Sequence, residues 1–458
     1  MNIVQRDYVE WRKEMSTQIQ YPKQPPAEPP KSVLQGPGKL TMDTPIGLWL
    51  THDPAIYQDE ITGKYYIYGT GAVCQRSDDL VHWEKIGKIV EKPPKEASDW
   101  TGGRDIWAPD IVKVGDEYRL YCSNSTFGVQ QSCIFLAVSD SPEGPFVPRD
   151  IVLKTSDQLS VNAIDANIVT DVKTGEMYMV YGSFWGGCHI LKLDRETGLA
   201  AEEGIGTCLA RRPAWLSTGV EGPYMIYNPD TEYYYLFVSY GSLKMDYQVR
   251  VGRSRSVLGP FVDFHGRELT DTSYPDNRVG LMQICGYCWS DSTPYMAPGH
   301  NSVLHDRDGS WYIVYHIREK NFITKGEPST MQVRKMYWTD EGWPVVSAEP
   351  YSGEVEQEIP GEALQGRYER INLICTLPQG IQTSVPMKLK DRNDYYECCS
   401  IQGNWHYKDG RMTITYGPYE EEAFVSAVWD HERNRPTIAL CGMSKEGIPF
   451  WAKRVGDL

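Results

Sequence analysis

The sequence contains one short pattern five times, and this repeat constrains the possible fold more than any other feature. Each copy has a short apolar strand, a turn of Gly, Asp or Asn, and a Tyr-rich second strand, which is typical of a β-hairpin. The copies begin with DPAIYQ at Asp53, APDIVKV at Ala108, DANIVTD at Asp165, EGPYMIY at Glu221 and HNSVLHD at His300. Their starts are 55, 57, 56 and 79 residues apart, so the last interval carries an extra loop.

Units of about 55 residues made of short strands, with little helical periodicity, indicate a radial array of four-stranded blades. The sequence therefore predicts an all-β protein with a five-bladed β-propeller over residues 41–355. From about residue 360 the repeat stops but apolar alternation continues, which predicts a C-terminal antiparallel β-barrel or sandwich domain over 356–458. Residues 1–40 are rich in proline and are predicted to be an extended connector or a surface strap.

Equivalent positions of a propeller repeat come together at the axis, because the first strand of every blade lines the central channel. Four of the five repeat starts are titratable, and the second copy has Ala108 instead. A single Asp at a strand start is usually a turn or cap residue. Several carboxylates at matched positions repel each other and lose solvation, so stability does not explain the pattern. We therefore predict a functional cluster of Asp53, Asp165, Glu221 and His300.

Three carboxyl groups with aromatic residues nearby in sequence suit either cation binding or the hydrolysis of a glycosidic bond. Hydrolysis needs one acid that protonates the leaving oxygen and one carboxylate that activates water, with pKa values pushed apart. Asp165 is expected to raise the pKa of Glu221 by like-charge repulsion, while Asp53 stays ionised.

The charge of the chain narrows the class of partner. Lys and Arg number 46 against 61 Asp and Glu, and the net charge of -15 argues against nucleic acid or an anionic membrane as a partner. A neutral ligand such as a sugar fits better. The 30 Tyr and 14 Trp residues suit a protein surface that binds sugars, because their rings combine an apolar face with a hydrogen-bonding group. The charge gives no prediction of oligomeric state.

The first 15 residues, MNIVQRDYVEWRKEM, contain neither a signal peptide nor an apolar span. The expectation is a cytoplasmic location for the chain as given, or secretion if a leader was removed. The 11 cysteines are predicted to be reduced buried thiols, because their number is odd and they are scattered through strand-like segments. Cys285 and Cys288 have no second pair with suitable spacing, which argues against a zinc site.

Five motifs, HDPAI, WAPDI, AIDANIVTD followed by VYGSFWGG, EGPY and PGHNSV, together resemble the arabinanases of glycoside hydrolase family 43, in the right order over about residues 45–350. The resemblance implies a five-bladed propeller and an inverting mechanism. Asp53 matches the general base, Asp165 the pKa modulator and orienter, and Glu221 the general acid. Inversion places the carboxyls of base and acid roughly 6.5 to 9.5 Å apart. The C-terminal part resembles the β-domain of the longer, two-domain arabinanases.

His300, in PGHNSV, matches the histidine that lies beside a calcium ion on the propeller axis of these enzymes. The resemblance therefore implies calcium as a cofactor, as one axial ion whose shell is mostly water, because Ca²⁺ prefers oxygen ligands to imidazole. The alternative is a histidine hydrogen-bonded to Asp53 or Asp165 without a metal.

Five further residues are candidate substrate-binding residues. Trp107, in WAPDI, either stacks on a sugar ring or packs in its blade. Phe127, Ser183 and Trp185 lie in loops that follow second strands, and Asn167 is close enough in sequence to orient Asp165.

The function that the resemblance implies is hydrolysis of α-1,5-linked arabinan or arabino-oligosaccharides. Two alternatives stay open within the family, an exo-acting α-L-arabinofuranosidase and a β-xylosidase. An alternative of another class is a propeller that binds carbohydrate without cleaving it. The C-terminal domain either binds carbohydrate through Trp405 or Trp429 or caps the propeller.

Overall fold

Five antiparallel sheets form the blades of the predicted propeller, and a closed barrel follows them. The structure is a computed structural model, and it describes residues 19–26, 51–216, 219–274, 278–290, 292–320, 329–390 and 395–456. Most of the proline-rich extension predicted over residues 1–40 lies outside the described residues. The prediction of an all-β propeller with a second β-domain is confirmed.

The first three blades are plain four-stranded sheets. Blade 1 comprises β1 (Ala55–Gln58), β2 (Tyr65–Gly69), β3 (Val73–Ser77) and β4 (Trp83–Lys88). Blade 2 comprises β5 (Trp107–Val114), β6 (Glu117–Asn124), β7 (Ser132–Ser139) and β8 (Val147–Thr155). Blade 3 comprises β9 (Asn167–Thr170), β10 (Met177–Tyr181), β11 (Cys188–Leu193) and β12 (Thr207–Ala210). An α-helix, α1 (Lys95–Thr101), connects blades 1 and 2 and ends at Gly102, whose φ of 71° is left-handed.

Blade 5 differs from the others because it carries two additional short strands. Blade 4 comprises β13 (Val220–Asn228), β14 (Tyr233–Tyr240), β15 (Gln248–Ser254) and β16 (Leu281–Ile284). Blade 5 comprises β17 (Tyr287–Cys288), β18 (Tyr295–His305), β19 (Trp311–Glu319), β20 (Thr330–Trp338) and β21 (Pro344–Val346). The sixth strand of this sheet, β23 (Gln382–Thr383), comes from the C-terminal part of the chain and pairs parallel to β17.

The C-terminal domain is a closed eight-stranded barrel whose neighbouring strands pair antiparallel. A 3₁₀ helix (Gly361–Leu364) precedes it. Its strands are β22 (Gly366–Asn372), β24 (Val385–Lys390), β25 (Tyr395–Cys398), β26 (Ile401–Lys408), β27 (Arg411–Tyr416), β28 (Tyr419–Asp430), β29 (Arg435–Ser444) and β30 (Pro449–Arg454). Trp405 and Trp429 are buried at 5% and 9% exposure, so neither offers an open platform for a sugar ring.

One hydrophobic core runs from blades 4 and 5 into the barrel without a break. Trp451 of β30 is fully buried and donates its indole N–H to the carbonyl of Val346 at 2.7 Å. The guanidinium of Arg334 in blade 5 lies 4.7 Å from the centre of the Trp451 ring. This continuous packing holds the barrel against the propeller.

The described part of the N-terminal extension, residues 19–26, packs against the barrel. Ile19 is buried in the barrel core next to Ile359 and Leu364. The backbone N–H of Gln20 donates to Gln357 Oε1 at 2.9 Å, and Gln357 Nε2 donates to the Gln20 carbonyl at 2.6 Å. Residues 19–26 are therefore bound to the C-terminal barrel domain.

All 11 cysteines are free, as predicted. Within the described ranges, no helix combines the length and the apolar character that crossing a membrane requires.

Candidate active site

The inner strands of the blades begin with an unusual backbone conformation. Asp53, Ala108, Asp165 and His300 all have positive φ, between 34° and 62°, which is rare for residues other than glycine. In blade 4 the residue with this conformation is Gly222, at φ 56°, and not Glu221. The conformation turns the chain at the point where each blade reaches the axis.

The predicted alignment of the fourth repeat copy is therefore wrong by one residue. A register shift follows Trp107 in blade 2 and Glu221 in blade 4, so these two residues are equivalent. Hydrogen bonds between blades agree, since the Ile168 N–H is bound by Asp110 and the Met225 N–H by Asn167. Glu221 thus precedes Gly222, the corrected start of the fourth repeat copy, but its carboxyl still reaches the axial site.

A cavity of about 530 Å³ lies at the axis, and Asp53, Asp165, Glu221 and His300 all line it. The four residues predicted to cluster are therefore neighbours, although up to 247 residues separate them in sequence. Such a volume is typical of a pocket for a small ligand. The other lining residues include His52, Thr70, Trp107, Phe127, Asn162, Ser183, Trp185, Lys244 and Tyr247.

Asp53 is surrounded by imidazoles. Its Oδ1 lies 3.1 Å from His300 Nδ1, 3.4 Å from His316 Nδ1 and 3.5 Å from His52 Nε2. Thr70 Oγ1 donates a hydrogen bond to the other oxygen, Oδ2, at 2.6 Å. Burial raises the pKa of this carboxyl, but the histidines outweigh burial and hold the pKa of Asp53 well below its usual range. The carboxylate is therefore ionised and able to accept a proton.

Glu221 has the opposite electrostatic character. It is 7% exposed, and Ser183 Oγ donates to its Oε2 at 2.6 Å. Burial raises the pKa of Glu221, and the hydrogen bond from Ser183 opposes this without cancelling it. A carboxyl with a raised pKa is suited to donate a proton.

Asp165 is also buried, and the Gly222 N–H donates to its Oδ2 at 3.3 Å. Burial raises the pKa of Asp165 to about 7, with repulsion from Glu221 and Asp53 adding to it and His300 opposing it. The expected repulsion between Asp165 and Glu221 is present, but it raises the pKa of Asp165. For Glu221 the main cause of the raised pKa is burial and not the predicted repulsion.

His300 contacts Asp53, the arrangement expected for a histidine that is hydrogen-bonded without a metal. Burial lowers the pKa of His300, but Asp53 and then Asp165 and Glu221 outweigh it and raise the pKa. The raised pKa favours the protonated imidazole, which is the form that pairs with Asp53 as an ion pair. A metal-binding role for His300 stays a prediction.

Comparison with known proteins follows the same division of the chain. Residues 42–344 match the family described as glycosyl hydrolases family 43, and residues 348–452 match its C-terminal lipocalin-like domain. The chain belongs to glycosyl hydrolases family 43. It is 31% identical over 465 residues to the extracellular endo-α-(1→5)-L-arabinanase of Thermotoga petrophila, covering 91% of this chain and 96% of that protein.

Solved structures of family 43 members have the same architecture. The endo-1,5-α-L-arabinanase of Thermotoga petrophila superposes with a TM-score of 0.80 at 30% identity, covering 89% of this chain and 99% of that one. The α-L-arabinanase of Cellvibrio cellulosa, in complex with arabinohexaose, superposes with a TM-score of 0.57 at 28% identity, covering 65% of this chain and 95% of that one. The protein is therefore a glycoside hydrolase by family.

Four of the five predicted substrate-binding residues of this family 43 protein line the cavity, namely Trp107, Phe127, Ser183 and Trp185. Phe127 and Trp185 are 70% and 52% exposed, as expected for rings that are open to a ligand. Asn167 does not line the cavity. Its amide donates to Asp110 at 3.2 Å and accepts from the Met225 N–H at 2.8 Å, so it connects neighbouring blades.

Sequence reasoning missed several residues of the site, most of which lie on second strands or precede a strand start. Thr70 follows β2, and His316 lies in β19, where it stacks on His52 with ring centres 4.3 Å apart. Tyr247 is buried against His316 at 5.7 Å and lines the cavity. The sequence did contain one signal for such residues. His52, Trp107 and Glu221 all lie immediately before the start of a repeat copy, and all three line the cavity.

Proposed function

We propose that this family 43 enzyme hydrolyses α-1,5-linked L-arabinan or arabino-oligosaccharides with inversion, using Asp53 as general base and Glu221 as general acid. One observation carries the proposal: two buried carboxyls face the same cavity, and their pKa values are shifted in opposite directions. Inverting hydrolysis needs this pair.

In the proposed reaction, Asp53 takes a proton from a water molecule while the water oxygen forms a bond to the anomeric carbon. The glycosidic C–O bond breaks, and the leaving oxygen takes the proton of Glu221. Asp165 stays between these groups, where its contact with the Gly222 N–H orients it. The ion pair with His300 keeps Asp53 ionised between turnovers.

The identity of the substrate is supported by the relatives and by the chemistry of the cavity. The Thermotoga petrophila relative, named as an endo-arabinanase, matches this chain over both domains. The exposed rings of Phe127 and Trp185 suit the apolar faces of uncharged sugars. We therefore propose endo action on a linear chain of arabinofuranose units.

Product analysis tests this proposal. The enzyme is incubated with linear arabinan, an aryl α-L-arabinofuranoside and an aryl β-xyloside, and products are separated over time. A ladder of oligosaccharides from arabinan is expected, and NMR should show that the first product has the inverted, β anomeric configuration. Release of monomer alone would indicate exo action, xyloside cleavage would indicate a β-xylosidase, and sugar binding without cleavage would indicate a non-catalytic propeller.

We also propose an axial cation, calcium, beside His316. Ligand atoms of His52, Asp53 and His316 lie within 4.8 Å of one another, and Nε2 of His316 is buried without a hydrogen-bond partner. A metal-bound histidine commonly donates its other N–H to a carboxylate, which fits the 3.4 Å contact of His316 Nδ1 with Asp53 Oδ1. Ca²⁺ prefers oxygen, so water would complete the shell. The ion would supply positive charge that favours the ionised form of Asp53.

Metal removal tests the cation. Treatment with a chelator should lower both the melting temperature and the activity, and added Ca²⁺ should restore both. A protein with no metal by elemental analysis and no response to chelator would contradict the proposal.

A further inference from the structure

The hydroxyl of Thr70 connects the first two blades at the edge of the cavity. Its Oγ1 accepts the backbone N–H of Ala108 at 3.0 Å and lies 2.6 Å from Asp53 Oδ2. Thr70 lines the cavity directly after β2. Neither contact has a role in the reaction described above.

The contact with Ala108 occupies one lone pair of the Thr70 hydroxyl. A backbone N–H is only a donor, so Thr70 Oγ1 must act as its acceptor. The single hydroxyl proton of Thr70 is then directed to Asp53. Because an ionised carboxylate only accepts hydrogen bonds, Thr70 donates to Oδ2 while Asp53 is ionised.

The two oxygens of Asp53 have different surroundings. The three imidazole contacts, from His52, His300 and His316, all involve Oδ1. On Oδ2, the described residues provide one hydrogen bond, from Thr70. Each carboxylate oxygen offers two lone pairs, so Oδ2 keeps one lone pair available for water.

The corresponding hydroxyl at Glu221 is not fixed in this way. Within the part of the chain that the structure describes, Ser183 Oγ has Glu221 as its one hydrogen-bond partner. It can rotate to donate to an ionised carboxylate or to accept from a protonated one. Glu221 therefore meets a hydroxyl that tolerates both protonation states, as a proton-donating group requires.

We propose that Thr70 is a positioning residue that presents Asp53 Oδ2 to the nucleophilic water and makes this oxygen the one that receives the water proton. The proposal rests on the proposed function of Asp53 as general base. Among the described residues, the hydroxyl beside the base has two hydrogen-bond partners, Ala108 and Asp53, whereas the hydroxyl beside the acid has Glu221 alone.

Three substitutions test this role. Thr70→Val keeps the shape and removes the hydroxyl, whereas Thr70→Ser keeps the hydroxyl. Ser302→Ala is the matched control, because Ser302 Oγ also accepts a backbone N–H, that of Ile56 at 3.0 Å, but donates to the Pro54 carbonyl at 2.7 Å. We expect Thr70→Val to lower kcat by roughly 10- to 100-fold with KM changed less than about twofold. Thr70→Ser should restore most of kcat, and Ser302→Ala should lower the melting temperature without this loss of kcat.

Several results would overturn the proposal. They are a Thr70→Ser variant as slow as Thr70→Val, a Thr70→Val variant whose KM rises at constant kcat, or a Ser302→Ala variant that loses kcat to the same extent. If Thr70→Val does not fold, Thr70→Ala against Thr70→Ser gives the same comparison. Failure of the proposed function is distinguishable, because the wild-type enzyme would then lack activity on every arabinoside.

Discussion

The axial carboxylates of the propeller and the carboxylates around Lys453 are both buried, but they are neutralised differently. Lys453 is fully buried between blade 5 and the barrel, and its ammonium lies 2.6 Å from Glu349, 2.8 Å from Asp430 and also against Glu432. At the axis, the described residues give Asp165 and Glu221 no ion pair with Lys or Arg, and Asp53 pairs only with histidines.

The difference separates carboxylates that stabilise the fold from carboxylates that are available for catalysis. A carboxylate paired with Lys cannot readily exchange its proton, whereas a buried carboxyl without such a partner keeps a pKa near the working pH. The contrast is not complete, because burial and repulsion from Glu432 raise the pKa of Glu349 to about 8 despite Lys453. One carboxyl of the interdomain cluster therefore also holds a proton at neutral pH.

The largest expected effect is on catalysis at the axis. Glu221→Gln should lower kcat on arabinan at least about 100-fold, since the variant has no acid to protonate the leaving oxygen. Its melting temperature should stay equal or rise, because a buried ionisable group is removed. Glu232→Gln, an exposed residue of the same blade, is the control and should change neither value. Full activity of Glu221→Gln would contradict the assignment of the acid.

The interdomain cluster, which is Lys453 with Glu349, Asp430 and Glu432, should affect stability and not catalysis. Lys453→Met removes the buried cation that three carboxyl groups share and should lower the free energy of unfolding by about 3–5 kcal/mol, measured by urea denaturation. Folded protein should keep its kcat. Lys445→Met is the matched control, because Lys445 also contacts three carboxylates, Glu341, Glu420 and Glu422, but is 45% exposed. It should cost at most about 1 kcal/mol, and equal costs would remove the distinction that burial makes.

The pH dependence of stability sharpens the comparison at Asp110, a buried carboxyl of the inner strand of blade 2. Burial raises its pKa to about 7, against the hydrogen bonds from Ile168 and Asn167. Because the folded-state pKa lies above the unfolded value, the contribution to stability is complete below about pH 4 and is lost as the pH rises through about 7.

Asp110→Asn removes this titration and keeps an acceptor for Ile168. The slope of unfolding free energy against pH should become more positive by roughly 1.4 kcal/mol per pH unit between about pH 4 and pH 7, because the contribution of Asp110 falls over this range in the wild type. Urea denaturation at several pH values measures the slope. A slope equal to that of the wild type would mean that Asp110 is ionised in the folded protein.

The smallest expected effect concerns the rim of the cavity. Trp185→Ala should raise KM for arabino-oligosaccharides roughly 3- to 10-fold, because an exposed ring that contacts sugar is lost. Trp215→Ala is the control, since Trp215 is 60% exposed and does not line the cavity. An equal change in both variants would show that Trp185 does not contact the substrate.

The repeat was sufficient to predict the propeller, and the strand starts were sufficient to predict which carboxyls meet. The alignment failed because the fourth copy was started at Glu221 instead of Gly222, which places Tyr224 instead of Met225 opposite the apolar Ile56 and Ile111 of the first two copies. The Gly222–Pro223 pair in EGPY matches the Pro at the second position of the copies at Asp53 and Ala108, so the correct register was visible in the sequence.

Other parts of the site could not be predicted from one sequence. Thr70 follows the second strand of blade 1 and accepts the N–H of Ala108 in the inner strand of blade 2, and no spacing in the chain indicates that contact. Asn167 was assigned to substrate because it is near Asp165 in sequence, but in a strand its side chain faces the neighbouring blade. Repeat patterns predict which positions are equivalent, whereas hydrogen-bond partners depend on how the blades are tilted.

The core that blade 5 and the barrel share has a consequence for how such enzymes can be recombined. The Trp451 indole of the barrel donates a hydrogen bond to the Val346 carbonyl of blade 5. Exchanging the barrel between homologues would therefore join two surfaces that did not evolve together. A chimera joined near residue 356 would therefore need compensating changes in blade 5. Recombination between homologues should succeed more often when blade 5 and the barrel come from the same parent.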